Sequence, residues 1–288
     1  MKIAVTGASG FIGQELIRLF NNTDYEIVAL SRSRKDKNFI ETNYSVDSLT
    51  NAFKNVDVVI HLAAIRGGDS ALGYGTFREN EILTENILKA MANCKASKII
   101  YLSSISVYSD IQKLPWCEDQ AVTPCNFYGL SKLTCEHLCR LYSKKGIESV
   151  IFRCAHVLGY EDKGYMLSKF LKAAAEKNTL CVRGKSIAKR EFIYVKDVAR
   201  AIIWAIDNSK VCGVFNLGID CAYTNLEVAQ VINRVFQNED NLEYQDDLTE
   251  GINSSYMLSE KIRCYGFNIK YDLQSGIKDI RREKFDMP

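Results

Sequence analysis

Tyr128 and Lys132 are the side chains of this sequence best suited to transferring a proton. They are four positions apart in a stretch with helical periodicity, so both should leave the same face of one helix. A free phenol has a pKa of about 10 and is a weak catalyst at neutral pH, but a nearby ammonium group favours the phenolate. Ser104 ends a predicted strand upstream and could donate a hydrogen bond to a reacting oxygen. Together these three residues predict acid–base catalysis.

Three glycines near the amino terminus have the spacing of a phosphate-binding turn. Gly7, Gly10 and Gly13 come after a short apolar run and lead into an amphipathic stretch. The first glycine permits a tight turn, the second lets the backbone approach a pyrophosphate, and the third allows close helix packing. The amino terminus of the helix, with Phe11 and Ile12, would then face the anion. We therefore predict a dinucleotide site here.

The residues after the second predicted strand should decide between NAD and NADP. A carboxylate at that edge bonds the ribose 2′-hydroxyl of NAD, whereas this sequence has no acid there before Asp36. Ser31, Arg32 and Arg34 could instead bind a 2′-phosphate, because the guanidinium fork matches phosphate oxygens. We predict NADP(H) as the cofactor. The alternative is a solvated basic turn that tolerates NAD.

The elements that must position these residues alternate in type through the first half of the chain. Short β-branched runs are followed by longer amphipathic stretches, which is typical of strand–helix–strand units around a parallel sheet. Right-handed connections then give an α/β fold with a doubly wound parallel sheet (Rossmann fold) and a ligand at its carboxyl edge. Strands are predicted at 2–6, 26–31, 56–62, 98–103 and 150–153, and helices from about residue 10, at 80–94 and at 128–142.

The character of the sequence changes after Arg153, where loops become longer. An apolar strand and an amphipathic helix return at 191–206, and another strand is predicted at 214–218. We predict a dinucleotide-binding domain at 1–153, to which 191–217 returns. A smaller, discontinuous C-terminal substrate lobe is predicted at 154–190 and 218–288.

Composition limits the range of functions. The 288 residues are 47% hydrophobic and 25% charged, which is enough for a large core. A net charge of only +2 argues against nucleic acid as a partner. No apolar run is long enough for a signal peptide or a bilayer span, so we expect a cytoplasmic protein without membrane contacts. The ten cysteines form no CxxC pair, and no metal site is predicted.

Several segments occur in an order that marks a known family. They are TGASGFIG at 6–13, HLAA at 61–64, SSISVY at 103–108, YGLSK at 128–132 and REFIYVKDVA at 190–199. In these segments the chain resembles the extended short-chain dehydrogenase/reductases of the NAD(P)-dependent epimerase/dehydratase type. The resemblance extends from the first strand to about residue 205 and is weaker beyond it.

The resemblance assigns roles to individual residues. It implies that Ser104, Tyr128 and Lys132 form the catalytic Ser-Tyr-Lys set, with Ser103 as the alternative serine. It also implies places for four residues around the cofactor. Asp47 should lie beside the adenine, Leu62 and Ala63 along the cofactor channel, and Asn80 behind the site.

Most members that resemble this chain act on nucleotide-linked sugars, which implies a nucleotide sugar as the small-molecule partner. Arg190 corresponds to an arginine that holds the diphosphate; the alternative is a structural, salt-bridged arginine. His156 stands where an Asn is usual and either contacts substrate or is structural. The family's second phosphate-binding arginine has no counterpart just before Ser254. A homodimer through the helices at 80–94 and 128–142 is implied by resemblance only.

The type of reaction depends on two further comparisons with the family. Dehydratases carry an Asp-Glu pair just after the catalytic hydroxyl residue, where this chain has Ile105 and Ser106, so dehydration is disfavoured. Epimerases usually have an acid after the second strand, whereas Ser31-Arg32 favours exchange with NADPH. We therefore predict an NADPH-dependent reductase of a nucleotide-activated 4-keto sugar. The alternatives are a nucleotide-sugar 4-epimerase with tightly bound NAD(P) and a non-catalytic NADP-sensing module.

Overall fold

The structure, a computed structural model, describes residues 1–33, 39–66, 73–109, 113–160 and 166–286. The chain divides into two compact units. The first unit comprises Met1–Ser109, Glu118–Arg153 and Ala199–Phe215. The second comprises Asp110–Cys117, Cys154–Val198 and Asn216–Pro288, apart from the residues outside the described ranges.

Strands and helices alternate along the described chain. The strands are β1 (Lys2–Thr6), β2 (Glu26–Ser31), β3 (Ile40–Glu41), β4 (Val58–His61), β5 (Lys98–Ser104), β6 (Glu148–Cys154), β7 (His156–Leu158), β8 (Leu180–Arg183), β9 (Arg190–Tyr194), β10 (Gly213–Leu217), β11 (Ala222–Tyr223) and β12 (Leu242–Gln245). The helices are α1 (Phe11–Phe20), α2 (Val46–Ala52), α3 (Tyr74–Cys94), α4 (Phe127–Leu141), α5 (Met166–Ala175), α6 (Val195–Asp207), α7 (Asn225–Phe236), α8 (Glu260–Cys264) and α9 (Leu273–Lys284). A 3₁₀ turn at Ile105–Val107 follows β5, and another at Tyr142–Lys145 follows α4.

The main sheet has seven strands in the order β10-β6-β5-β4-β1-β2-β3. β1 pairs in parallel with both β2 and β4, and the β2–β3 and β4–β5 pairs are also parallel. The chain order therefore reverses between β1 and β4, and ligands of such sheets bind beyond the carboxyl ends of the strands at this switch point. The predicted doubly wound α/β fold is confirmed.

The strands of this sheet are apolar on both faces. Ile3, Val5, Val59, Ile60 and Ile99 have no exposed surface. Continuous β-branched runs of this kind are expected where helices cover both sides of a parallel sheet. α3 packs against α2 and α4, and this packing fixes the helix that carries Tyr128 and Lys132.

The second unit has smaller sheets. β9 pairs in parallel with β7 and antiparallel with β11, while β8 and β12 form a separate parallel pair. The buried carboxylate of Glu191 accepts the backbone N–H groups of Ile219, Asp220 and Met257 at 2.6, 2.7 and 3.0 Å. These bonds join β9 to two later segments and so hold Arg190 in place.

None of the helices within the described ranges has both the length and the apolar character that crossing a bilayer requires.

Candidate active site

The turn after β1 is shaped by glycines that leave no room for side chains. Gly7 has a φ of +70°, and a Cβ there would lie 2.7 Å from the backbone nitrogen of Ala63. A Cβ at Gly13 would collide with the carbonyl oxygen of Gly7 and lie 2.7 Å from the Cα of Ala8. The nitrogen of Gly10 donates to the Gly7 oxygen at 2.9 Å and closes the turn. Gly13 thus lets α1 press directly against the turn.

The amino terminus of α1 is able to accept an anion. Gly10 is the N-cap, and as a glycine it has no side chain that could cap the first N–H groups of the helix. Phe11 and Ile12 are half-buried at this end, where the helix dipole is positive. A dinucleotide pyrophosphate is the kind of anion that such a terminus binds, and the glycine turn allows its close approach. The residues present therefore fit an NAD-type cofactor.

Tyr44 supports the glycine turn through its hydroxyl group. No pattern in the sequence predicts this role for Tyr44. Its buried hydroxyl accepts a hydrogen bond from the Gly7 nitrogen at 3.2 Å and donates to the Leu30 carbonyl at 3.4 Å. Burial raises the pKa of this phenol. Tyr44 itself has a φ of +59°, an unusual conformation that gives no periodic signal in the sequence.

The edge of the sheet beside β2 differs from the pattern used to predict NADP(H). Ser31 is buried with its hydroxyl 2.6 Å from Ser9 Oγ, whereas Arg32 is exposed. Arg34 lies outside the described residues. β3 places Glu41 in register with Ser31, so a carboxylate does belong to this edge. The residues that directly follow β2 in the sequence do not include Glu41, which reaches this edge only because β3 pairs with β2.

Asp47, which the resemblance put beside the adenine, lies in the first turn of α2 and is exposed. Ser45 caps this helix by accepting the Ser48 N–H at 3.3 Å. Thr42, at the end of β3, is buried with its hydroxyl 2.9 Å from Ser48 Oγ. Asp47 therefore belongs to a well-capped helix start near the carboxyl edge of the sheet, and its contact with adenine stays a prediction.

Tyr128 and Lys132 lie one turn apart on α4. Lys132 is buried, and its Nζ donates to the Leu102 carbonyl of β5 at 2.8 Å. The same ammonium lies 5.8 Å from the centroid of the Tyr128 ring and 4.8 Å from that of Tyr101. Tyr128 is half-buried, with its ring 6.1 Å from the Phe77 ring. A cation is thus fixed beside the phenol, an arrangement that favours a phenolate.

The first turn of α4 is pressed against the 3₁₀ turn that follows β5. Asn126 caps the helix by accepting the Gly129 N–H at 2.8 Å. A Cβ at Gly129 would collide with the carbonyl oxygen of Ser106. The glycine in the YGLSK segment therefore brings Tyr128 close to the segment that carries Ser104.

The two serines at the end of β5 have different surroundings. Ser103 is buried, and its hydroxyl donates to Glu136 Oε1 at 2.6 Å. Ser104 is half-buried; its hydroxyl donates to Ser106 Oγ and accepts the Ser106 N–H, each at 3.1 Å. Because Ser103 faces a buried carboxylate, Ser104 is the better candidate for contact with a substrate oxygen.

Asn80 holds the loop after β4. Its Oδ1 accepts the Ile65 N–H at 2.7 Å, and its Nδ2 donates to the Ile65 carbonyl at 2.9 Å and to Ser131 Oγ at 3.4 Å. Leu62 and Ala63 start this loop and are half-buried. The Leu62 nitrogen donates to β1, and Ala63 lies directly against the glycine turn. The structure thus brings together the segments that were expected to line the cofactor channel.

His61 is buried at the end of β4, between two threonines. Its Nδ1 lies 2.9 Å from Thr6 Oγ1 and its Nε2 lies 3.0 Å from Thr84 Oγ1. Burial, together with the charge of Lys132, lowers the pKa of His61 to about 3. The imidazole is therefore neutral and acts as a structural link between β1 and α3.

The buried imidazole makes stability depend on pH. Between pH 6.5 and about 3, this histidine is protonated in the unfolded chain and neutral in the folded protein. The free energy of unfolding therefore decreases as the pH falls through this range. We expect a loss of about 1.4 kcal/mol per pH unit from this group. Urea denaturation of the first unit at pH 7.5, 6 and 5 measures the slope, which should be smaller in His61→Gln. His137→Gln changes the exposed histidine of α4 and is the control. Equal slopes in all three proteins would contradict the expectation.

The two residues assigned to substrate both lie in the second unit. Arg190 donates from Nη2 to Asn225 Oδ1 at 2.8 Å, and its guanidinium carbon is 5.5 Å from the Phe192 ring centroid. Its Nε is buried without a hydrogen-bond partner among the described residues, and burial lowers the pKa of the guanidinium. His156 Nε2 lies 3.1 Å from Ser255 Oγ. Burial and the Arg190 charge lower the His156 pKa to about 4, so this imidazole is neutral.

Comparison with known proteins gives the same family from two directions. The model of the NAD dependent epimerase/dehydratase family matches residues 3–218. The crystal structure of UDP-N-acetylglucosamine 4-epimerase from Bacillus cereus is 39% identical, with a TM-score of 0.90, over 100% of this chain and 99% of that one. UDP-glucuronic acid 4-epimerase from Bacillus cereus, in complex with UDP-glucuronic acid and NAD, is 25% identical with a TM-score of 0.85 over 98% and 99% of the two chains. A dTDP-glucose 4,6-dehydratase of Shigella flexneri is 27% identical over 81% of this chain and 76% of its own.

The match extends over most of the sequence and includes the glycine turn, the Asn80 helix and the Tyr128–Lys132 pair described above. The strand order and the full-length similarity to a solved structure both agree with this family match. The chain belongs to the NAD dependent epimerase/dehydratase family, whose members are NAD-dependent enzymes of the extended short-chain dehydrogenase/reductase type.

Proposed function

We propose that this protein is an NAD-dependent 4-epimerase of a nucleotide-activated sugar. The observation that carries the proposal is the Lys132 ammonium fixed 5.8 Å from the Tyr128 ring, on a helix packed against the turn that follows Ser104. The chain is also similar along its whole length to a UDP-N-acetylglucosamine 4-epimerase. The comparisons favour this reaction over the NADPH-dependent reduction expected from the sequence, and NAD over NADP. Glu41 beside Ser31 supports NAD on physical grounds, because a carboxylate can bond the ribose hydroxyls.

The residues of the site suit a reversible oxidation at C4 of the sugar. Bound NAD would supply a reversible hydride acceptor. Tyr128 takes the proton from the C4 hydroxyl as the C–H bond breaks, and Ser104 donates a hydrogen bond to the same oxygen. Lys132 keeps the phenolate available and would hold the nicotinamide ribose. When the keto sugar presents its other face, Tyr128 returns the proton, and the configuration at C4 is inverted.

The two positions after Ser104, where a dehydratase of this family is expected to carry an Asp-Glu pair, have no carboxylate in this sequence. At these positions the chain has Ile105, which is buried, and Ser106, whose hydroxyl bonds to Ser104. Neither can act as a carboxylate acid or base. The lack of carboxylates at these two positions favours epimerisation over dehydration.

We propose a UDP-sugar as the substrate and the second unit as the lobe that binds it. Arg190 has a buried Nε that donates to no atom of the described residues, which suits a diphosphate oxygen. Neutral His156 and Ser255 form a donor and acceptor pair suited to sugar or ribose hydroxyls. UDP-N-acetylglucosamine is the first substrate to test, since the 39% identical neighbour is named for it.

The deciding experiment is an equilibrium assay with purified protein, UDP-N-acetylglucosamine and catalytic amounts of either NAD or NADP. We expect UDP-N-acetylgalactosamine to form by inversion at C4, with NAD more effective and no net consumption of cofactor. Stoichiometric oxidation of NADPH on a UDP-4-keto sugar, without inversion of UDP-sugars, would instead establish the reductase. Cofactor binding without turnover on UDP-linked glucose, glucuronic acid or N-acetylglucosamine would indicate a sensing module.

We also propose a homodimer through α3 and α4. These helices pack on each other, and each exposes large apolar side chains: Ile82 on α3, and Phe127, Leu130 and Leu141 on α4. Exposed apolar residues clustered on a helix pair suit a contact between copies. Leu141→Glu should convert a dimer into a monomer in sedimentation experiments, whereas Ile187→Glu, at an exposed site in the second unit, should not. A wild-type monomer would refute the proposal.

A further inference from the structure

A buried ion pair lies beneath the catalytic residues in the first unit. Glu136 on α4 is fully buried, and Arg153 at the end of β6 is 2% exposed. Arg153 donates from Nε to Glu136 Oε1 at 3.1 Å and from Nη2 to Oε2 at 2.9 Å. Its Nη1 donates to the Tyr108 hydroxyl at 3.0 Å. Both charges are therefore satisfied by directional hydrogen bonds.

The same carboxylate also reaches β5. Ser103 Oγ donates to Glu136 Oε1 at 2.6 Å, and Ser103 is the residue immediately before Ser104. On α4, Glu136 lies one turn after Lys132 and two turns after Tyr128, on the same helix face. One side chain thus joins the helix that carries the phenol and the ammonium to the strand that carries the serine.

Stability alone does not account for this arrangement. Moving two charges into a core costs several kcal/mol per ion, and apolar residues of similar volume often stabilise a core as well or better. Apolar packing, however, tolerates small shifts of a helix along a sheet. A bidentate pair with a third hydrogen bond from Ser103 does not, because each bond is directional.

We propose that Glu136, held by Arg153 and Ser103, is a positioning residue that sets the placement of Tyr128 and Lys132 relative to Ser104. The inference rests on the proposed function of those three residues. Misplacement of reacting groups by about 1 Å can cost about a hundredfold in rate. Loss of the Glu136 contacts should therefore lower kcat much more than it weakens ligand binding, because the glycine turn and Arg190, which are expected to supply most of the ligand contacts, do not depend on Glu136.

The test compares kcat, the KM for UDP-N-acetylglucosamine and the Kd for NAD in Glu136→Gln and Ser103→Ala. We expect kcat to fall about a hundredfold in Glu136→Gln and about tenfold in Ser103→Ala, since the latter loses one of the hydrogen bonds. KM and Kd should stay within about threefold of wild type. If Glu136→Gln does not fold, Ser103→Ala decides the question, because it keeps the ion pair intact.

Lys98→Met is the matched control. Lys98 is a buried cation at the opposite end of β5, where its Nζ donates to the carbonyls of Ala205 and Asn208 at 2.7 and 3.2 Å. The Lys98→Met variant should have a lower Tm than wild type, and its kcat should stay within about threefold of the wild-type value. The inference is overturned if Ser103→Ala keeps full kcat, or if Lys98→Met loses as much kcat as the other variants.

Wild type and Tyr128→Phe in the same series separate this inference from the proposed function. A wild type that inverts no UDP-sugar overturns the proposed function and this inference with it. An active wild type and an inactive Tyr128→Phe, combined with unchanged kcat in the Ser103 and Glu136 variants, overturn this inference alone.

Discussion

Tyr128→Phe should bind NAD as wild type does and lose at least about a hundredfold in kcat, which is the scale of general acid–base catalysis. The substitution removes only the hydroxyl, while the ring can keep its edge contact with Phe77 at 6.1 Å. Lys132 can also keep its bond to the Leu102 carbonyl, so the rest of the site has no reason to move. A hundredfold loss corresponds to about 2.7 kcal/mol of transition-state stabilisation.

The control for this prediction lies just beyond the carboxyl end of the same helix. Tyr142 follows the last residue of α4, and its ring is 4.5 Å from the Lys145 ammonium, so it is also a tyrosine beside a lysine. Tyr142→Phe should keep full kcat, because it is at the far end of the helix. Initial rates of sugar inversion and a titration of NAD binding give both quantities. Full activity in Tyr128→Phe, or equal losses in the two variants, would remove Tyr128 from the mechanism.

The sequence could predict those parts of the site whose residues have a characteristic short-range spacing. Tyr128 and Lys132 share a face because four residues make about one helical turn, and Gly7, Gly10 and Gly13 precede a helix as their spacing requires. The doubly wound parallel sheet, though not its strand order, follows from alternating apolar runs and right-handed connections. Each of these depends on residues close to one another in the chain.

What sequence could not predict depends on contacts between distant segments. Tyr44 reaches Gly7 across 37 positions, and Ser103 reaches Glu136 across 33, with no pattern that links the partners. Glu41 enters the cofactor edge only through the pairing of β3 with β2, which is why the sequence favoured NADP(H). The helix predicted at 80–94 begins earlier, at Tyr74. The sequence did not indicate its first turns, because Gly75 resembles a loop residue.

Gly13→Ala should weaken dinucleotide binding strongly, with a Kd raised about a hundredfold, which corresponds to about 2.7 kcal/mol of binding free energy. A Cβ at this position meets the carbonyl oxygen of Gly7 and the backbone of Ala8, and backbone atoms cannot rotate away as a side chain could. Relief requires α1 to move off the turn, which withdraws the helix amino terminus from the pyrophosphate. Overpacking of this kind also costs about 1–3 kcal/mol of stability.

Gly75→Ala is the matched control, because it adds the same methyl group to a helical glycine where, outside its own helix, no atom of the described residues lies within 4 Å. It should leave the Kd for NAD unchanged and raise stability by up to about 1 kcal/mol, since alanine is the better helix former. Calorimetric titration with NAD and thermal denaturation of both variants measure the two effects. If Gly13→Ala bound NAD as tightly as Gly75→Ala, the turn would have to deform without moving the helix. The glycine at 13 would then not be what brings α1 to the cofactor.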